Sequence, residues 1–101
     1  MTNKQVASTI LQQLGGNRFI AMTGAHSFMS EANSAFFKIP RIKKIKAVKI
    51  TLDANDTYTM RFIGQKNAPS FEVFDVAVVN NVYCDQLQEI FTEHTGLYTS
   101  L

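Results

Sequence analysis

The first fourteen residues carry the hydrophobic repeat of an amphipathic helix. Their apolar side chains recur at spacings of three and four and fall on one stripe: Val6, Ala7, Ile10, Leu11 and Leu14. Thr2 or Asn3 can cap the first turn with a side-chain oxygen, and Gly15 and Gly16 follow the last apolar position, where glycine commonly closes a helix. The pattern predicts a helix over residues 3–14.

Beyond these glycines, apolar residues alternate with polar ones or form short runs bounded by Gly, Pro, Asn or Asp. Six segments have this character and predict strands over residues 18–23, 27–31, 34–39, 45–52, 57–63 and 71–79. Pro40 is expected to end the third, because proline cannot donate a ladder hydrogen bond in a central strand. A last helix is predicted over residues 82–95, capped by Asn80 or Asn81 and closed by Gly96.

The register between the fourth and fifth predicted strands follows from their apolar positions. A two-residue turn would place the two apolar sets on opposite faces, whereas a three-residue loop over residues 54–56 pairs Leu52 with Tyr58 and places both sets on one face. We therefore predict the three-residue loop, which sets Lys49 opposite Arg61 on the outer face. Opposed like charges destabilise a sheet. The counter-charge is expected from Asp75 or from a bound anion such as a nucleic-acid phosphate.

The two elements at the end of the chain are expected to pack on the core through their apolar side chains. In the sixth predicted strand, the inward residues are expected to be Phe74, Val76 and Val78, and the outward ones Val73, Asp75 and Ala77. The buried face of the last helix is expected to contain Tyr83, Leu87, Ile90 and Phe91. The apolar tail that begins at Leu97 is expected to pack back on the sheet.

These elements predict one α+β domain over residues 1–101. Its antiparallel sheet of four to five strands is flanked by an N-terminal and a C-terminal helix, which pack on one face and leave the other partly open. Cys84 is the only cysteine, so no intrachain disulfide can form and a reducing, cytoplasmic setting is expected. No segment approaches the roughly 20 apolar residues of a membrane span, so no membrane association is expected.

The charges are distributed unevenly along the chain. Residues 1–66 contain all ten Lys and Arg side chains and only three of the eight acidic ones, although the net charge is just +2. The candidate nucleic-acid-binding residues are Arg41, Lys43, Lys44, Lys46, Lys49 and Arg61. Such cations neutralise phosphates, and exposed rings such as Phe36 or Phe37 could stack on unpaired bases. The alternative is that the lysines only keep a sheet edge soluble.

Residues that could support catalysis or bind a metal are scattered. His26 and His94 are isolated from each other, and Cys84 is expected to be a semi-buried structural thiol in the first turn of the last helix, with acidic neighbours and no base. Residues 53–56 lack the glycine and the closing glutamate of a calcium loop and are typical of a hairpin turn. We expect no catalytic residue, no metal, no cofactor and no small-molecule substrate.

Two segments resemble known proteins: LGGNRFIAMTGA at residues 14–25 and DQLQEIFTEHTGLYTSL at residues 85–101, with the hairpin VKITLDANDTYTMRF between them. They resemble a family of small proteins encoded by bacteriophages and bacterial mobile elements. The resemblance implies a phage or prophage context and supplies no catalytic residue. We expect a non-enzymatic accessory protein that binds an anionic partner, foremost nucleic acid. The alternative is a protein-interaction module, binding a host factor or forming a homodimer through the open sheet face.

Overall fold

Five strands and three helices make up the part of the chain that the structure, a computed structural model, describes: residues 2–42, 44–66, 70 and 72–97, without the side chains of Asn3 and Arg41. The elements in chain order are α1 (Asn3–Leu14), α2 (Asn17–Thr23), β1 (His26–Glu31), β2 (Ser34–Ile42), β3 (Ile45–Leu52), β4 (Tyr58–Gln65), β5 (Val73–Val82) and α3 (Leu87–Thr95). The strands form one antiparallel sheet in the order β1 to β5. This architecture confirms the predicted fold class.

Helix α1 has the bounds that the sequence predicts, because local signals define both of its ends. The backbone N–H of Gln5 donates to Thr2 Oγ1 (3.2 Å) and the Gln5 side chain accepts from the Thr2 backbone (2.8 Å), which completes a capping box. Gly15 follows the last turn with a φ of 124°, a conformation that favours glycine. The buried side of the helix contains Val6, Ile10 and Leu14.

The prediction of a first strand over residues 18–23 is wrong, because these residues lie in helix α2. Phe19 and Thr23 lie one helical turn apart and are both buried, and Thr23 Oγ1 donates to the Phe19 carbonyl at 2.7 Å. A short apolar run does not distinguish a strand from a buried helix by periodicity alone. Gly24 closes α2 in the left-handed conformation, with a φ of 73°. The sheet consequently has five strands, within the predicted four to five.

Strand β2 continues to Ile42, although the sequence predicts that it ends at Pro40. Its pairing with β3 is regular up to Lys38 and resumes at Ile42, with a register shift between these two residues. Pro40 lies within that shift, where a missing backbone N–H removes no regular ladder bond. A bulge thus accommodates the proline inside a central strand.

The β3–β4 hairpin confirms the predicted register. Leu52 pairs with Tyr58, and Lys49 pairs with Arg61. The backbone N–H of Asp53 donates to the Thr57 carbonyl at 2.8 Å, so three residues form the loop between them. The last of these, Asp56, has a φ of 63°, as expected for the left-handed third residue of such a loop.

Strand β5 is longer than predicted, and the predicted inward and outward directions are wrong for Ala77 and Val78. Asn80 and Asn81, predicted as helix caps, lie in β5, and α3 begins at Leu87, five residues after the predicted start at Val82. A register shift separates the pairs Phe62↔Ala77 and Ile63↔Asp75, so the β5 side has one additional residue. This residue reverses the strand's alternation beyond it. Ala77 therefore lies opposite inward Phe62, and its neighbour Val78 is outward, opposite Arg61.

The core lies between the helices and one face of the sheet. Phe19 contacts Phe37 and Phe91 edge-on, with ring centroids 5.4 and 5.1 Å away, so one ring joins α2 to both β2 and α3. Leu87 and Phe91 of α3 are buried as predicted, whereas Tyr83 is exposed because it precedes the helix. Leu97 packs against this core, and the rest of the predicted tail lies outside the described residues.

The ring of Tyr58 is buried in this core, at the start of β4. Burial raises the pKa of its phenol above the ordinary value of 10.0. The unfolded chain therefore releases this proton at a lower pH than the folded chain does. It follows that the contribution of Tyr58 to stability is complete below about pH 10 and falls as the pH rises further.

Substituting Tyr58→Phe should make the free energy of unfolding less dependent on pH above about pH 10, because the variant lacks the titrating phenol. Urea unfolding between about pH 8 and pH 11 measures this difference. Tyr83→Phe is the matched control, since Tyr83 is exposed, and it should follow the wild-type curve. Equal slopes for the wild type and Tyr58→Phe would contradict the prediction.

Candidate nucleic-acid interface

The outer face of the sheet, opposite the helices, carries the predicted pair Lys49 and Arg61. Each contacts a carboxylate from an edge strand: Lys49 Nζ lies 3.0 Å from Glu31 Oε2 of β1, and Arg61 Nη2 lies 3.2 Å from Asp75 Oδ2 of β5. Asp75 is thus the expected counter-charge for Arg61, whereas Glu31 was not expected. The four charges sum to zero, so the chain itself compensates the opposed cations.

The strand registers explain why Glu31 lies close to Lys49. It pairs with Ser34 of β2, and Ser34 pairs with Thr51 of β3. Lys49, two residues before Thr51, shares its face. A long side chain reaches diagonally across two strands to this position. The position of Glu31 thus depends on the two-residue turn at residues 32–33 and on the β2–β3 register, neither of which follows from the β3–β4 hairpin.

Replacing Glu31→Gln should lower the free energy of unfolding by about 0.5–1 kcal/mol, because it removes an ion pair and leaves Lys49 opposite Arg61 uncompensated. Urea unfolding at low salt measures the loss, which should shrink at about 0.5 M salt. Glu93→Gln removes the same charge from an exposed position on α3 and should change stability by less. A loss for Glu31→Gln no larger than that of the control would contradict the prediction.

The meander topology separates the charges along the strand direction. The β1–β2 and β3–β4 turns lie at one end of the sheet, and the β2–β3 and β4–β5 connections at the other. Glu31, Asp53 and Asp56 lie at or beside the first pair of turns. Lysines dominate the second end. Three of them lie in or near the β2–β3 turn, and we call this group the basic end: Lys38, Lys44 and Lys46. The division is therefore between the two ends of the sheet rather than between the two halves of the sequence.

The lysines of the basic end lack acidic partners within the described residues. Lys38, Lys44 and Lys46 are exposed and form no ion pair there, and the Lys46 ammonium donates to the Gln65 side-chain carbonyl. Lys66 nearby is different, since its Nζ lies 3.4 Å from Glu72 Oε2. The basic end consequently keeps a positive charge that the ion-paired centre of the face does not have.

A hollow of about 360 Å³ lies in the outer face beside the basic end. Its apolar lining includes Phe36, Ala47, Ile63 and Val73, and its polar lining includes Lys38, Lys46 and Gln65. Phe36 and Lys38 are two residues apart in β2 and therefore share the outer face. Apolar surface and two ammonium groups thus occur together, an arrangement that suits a flat ring carrying an anionic group.

Gly64, which also lines the hollow, allows the β2–β3 turn to approach β4 closely. A Cβ at this position would lie 2.5 Å from the backbone carbonyl oxygen of Lys44 and 2.9 Å from the ring of Phe74. The backbone oxygen cannot move aside as a flexible side chain could. Glycine is therefore required where Lys44, with a left-handed φ of 69°, crosses over the strand.

The six predicted site residues do not form one cluster in the structure. Lys44 and Lys46 lie at the basic end, and Arg41 lies in β2 next to the turn. Lys43 lies outside the described residues. Lys49 and Arg61 are ion-paired in the centre of the outer face. Lys38 is an additional residue of this surface that was not among the six, although its spacing of two from Phe36 in one strand indicates a shared face.

The structure also decides which aromatic ring is accessible. Phe37 is only 1% exposed and packs in the core, so it cannot stack on a base as suggested. Phe36 faces outward and lines the hollow. Of the two rings named from the sequence, Phe36 alone fits an interface.

The predicted environment of Cys84 is wrong, because its thiol is exposed rather than semi-buried. It lies in the single turn Cys84–Gln86 before α3, since the helix begins later than predicted. Within the described ranges, no three His, Cys, Asp or Glu side chains gather in a way that could hold a metal ion. None of the helices there is long and apolar enough to cross a membrane.

The chain matches no protein-family model, no curated protein and no solved structure. Its resemblance to phage-encoded proteins therefore stays a prediction, and the geometry above is what bears on function.

Proposed function

We propose that this protein binds single-stranded nucleic acid, without catalysing a reaction, through the basic end and the adjoining hollow. The observation that carries the proposal is the pairing of uncompensated lysines with an outward aromatic ring. Lys38 and Lys46 line the same hollow as Phe36, and within the described residues no carboxylate neutralises them. Phosphates and bases are the two chemical groups that such a surface recognises together.

Each part of the surface has a distinct role in this proposal. The ammonium groups of Lys38, Lys44 and Lys46 neutralise backbone phosphates and release counterions. The ring of Phe36 offers a stacking surface, and stacking accepts any base because every base has a π face. Binding is therefore expected to depend little on nucleotide sequence and strongly on salt.

Lys49 and Arg61 contribute less than the basic end in this proposal. A phosphate that contacts either side chain must compete with Glu31 or Asp75. Arg41 and Lys43 lie within three residues of Lys44 in the sequence and add two positive charges to that segment. With three phosphate contacts, a fourfold rise in salt should weaken single-strand binding by about 20-fold.

The proposal includes the phage or prophage context implied by the resemblance and a cytoplasmic location, where the exposed Cys84 thiol would remain reduced. The alternative, a protein-interaction module, depends on other surfaces. Purification of the native protein with and without nuclease separates the two. Nuclease removes a co-purifying nucleic acid, whereas a bound protein persists.

The double substitution Lys38→Gln with Lys44→Gln should reduce the slope of log affinity against log salt by about 1.4, because each lost single-strand phosphate contact contributes about 0.7. Fluorescence anisotropy with a labelled oligonucleotide of about 12 nucleotides measures the slope. The matched control, Lys4→Gln with Arg18→Gln, removes the same charge from exposed positions on α1 and α2. Equal slopes for both double variants, or a flat slope for the wild type, would refute the proposal.

Phe36→Leu should weaken oligonucleotide binding by at least about fivefold, because leucine keeps apolar volume but lacks the stacking surface, which contributes about 1–3 kcal/mol per base. Unlike the lysine variants, it should leave the salt slope unchanged. Tyr83→Leu removes another exposed ring, outside the hollow, and should bind as the wild type does. Unchanged affinity in a folded Phe36→Leu variant would remove the stacking role from the proposal.

A further inference from the structure

Strand β5 is an edge strand ten residues long, Val73–Val82. It pairs with β4 on one side, and no strand of the described residues lies along its other side. An edge of this kind presents a row of backbone N–H and C=O groups that a further strand can pair with. Its length makes it the longest strand of the described sheet.

This edge is bulged on either side of residues 77–79, where its register with β4 shifts, and Asn81 has a left-handed φ of 58°. It lacks the other features that usually keep sheet edges from pairing. Natural edges are short, bulged or marked by lysine or proline. The strand β5 contains no Lys, Arg or Pro, and its one charged residue, Asp75, already pairs with Arg61. Its apolar side chains are unusually accessible: Val73, Val76 and Val78 are 70%, 38% and 44% exposed.

The opposite edge of the same sheet is shorter and is bulged as well. Strand β1 has six residues, and its pairing with β2 is interrupted between His26 and Met29. Ser27, within the interruption, has a left-handed φ of 58°. The strand ends in Glu31, which is ion-paired. Both edges of the sheet are thus bulged. They differ in that the regular run of β1, residues 29–31, ends in a charged residue, whereas the longer β5 has an uncharged regular run, residues 77–79, between its two register shifts.

We propose that β5 pairs with β5 of a second copy in antiparallel orientation, about a two-fold axis that passes through Val78. Facing residues of antiparallel strands must project to the same side of the sheet. An axis at Val78 meets this condition, because it brings the two outward Val78 side chains together and sets Ala77 opposite Val79 of the second copy. The two sheets then continue as one sheet of ten strands.

Charge explains why a second copy fits this edge. The run from Val76 to Val79 is uncharged, so a copy of the same strand meets no repulsion at the centre. In this register Asp75 faces Asn81 of the other copy, and the two Asp75 carboxylates lie about 20 Å apart along the strands. An interface made mainly by one strand is small, so the dimer should be in measurable exchange with the monomer.

The first test is the dependence of molecular mass on concentration by sedimentation equilibrium, from about 1 μM to 1 mM protein. The wild type should shift from monomer to dimer. Val78→Glu should remain monomeric, because two carboxylates would meet at the axis, although in the monomer the new carboxylate faces Arg61 favourably. Met29→Glu, the same kind of change on the opposite edge strand β1, should dimerise as the wild type does.

The second test locates the axis without adding charge. In a Cys84→Ser background, Val78→Cys should form an intermolecular disulfide under mild oxidation, because facing Cα atoms lie about 4.5–5.5 Å apart, within disulfide range. Met29→Cys in the same background should not cross-link at the same rate. A wild type that stays monomeric throughout, a Val78→Glu variant that dimerises equally, or equal cross-linking at both positions would overturn the proposal.

Failure of this proposal is distinguishable from failure of the nucleic-acid proposal. Strands β3 and β4 separate Val78 from Phe36. The lysine double variant should therefore dimerise as the wild type does. Loss of dimerisation in that variant would show that the basic end, rather than β5, holds the copies together.

Discussion

The register of the β3–β4 hairpin is the constraint on which the rest of the structure depends. A slip by one residue would move every side chain of one strand to the other face. The three-residue loop, with Asp56 in the left-handed conformation, excludes that slip and places Val48, Ile50, Met60 and Phe62 in the core. The same register sets Lys49 against Arg61, so the order of the core creates an electrostatic cost on the outer face. Glu31 and Asp75 on the two edge strands compensate it.

Elements whose ends are marked by local sequence signals were predictable. The errors fall in elements that lack such signals. Helix α1 and the hairpin are defined by a capping box, a glycine and a turn that lie within a few residues of them. Helix α2 is too short for its apolar pattern to show a period. In β5, one extra residue in the register reversed the predicted orientation of Val78, and a bulge of this kind depends on the partner strand rather than on the sequence around it.

The candidate site was predictable in composition but not in arrangement. The sequence identified Lys44 and Lys46 as basic residues near a turn, yet it did not separate them from Lys49 and Arg61. That separation depends on carboxylates that arrive from distant strands, at positions set by several registers together. The position of Phe36 and Lys38 on one face was predictable, because alternate residues of one strand share a face. The hollow that they help to line was not predictable, because three further lining residues come from three other strands: Ala47, Ile63 and Val73.

The two proposed surfaces have a geometric relation that would matter to a long ligand. A two-fold axis perpendicular to the sheet leaves both outer faces on the same side of the dimer, and antiparallel pairing of β5 directs the two basic ends in opposite directions. A nucleic-acid strand that crosses the joined sheet can then contact both basic ends, and the second contact becomes intramolecular. Its contribution depends on whether the strand is long enough to span the two sites. Dimerisation would thus raise the affinity for long strands more than that for short ones, without any new contact between protein and base.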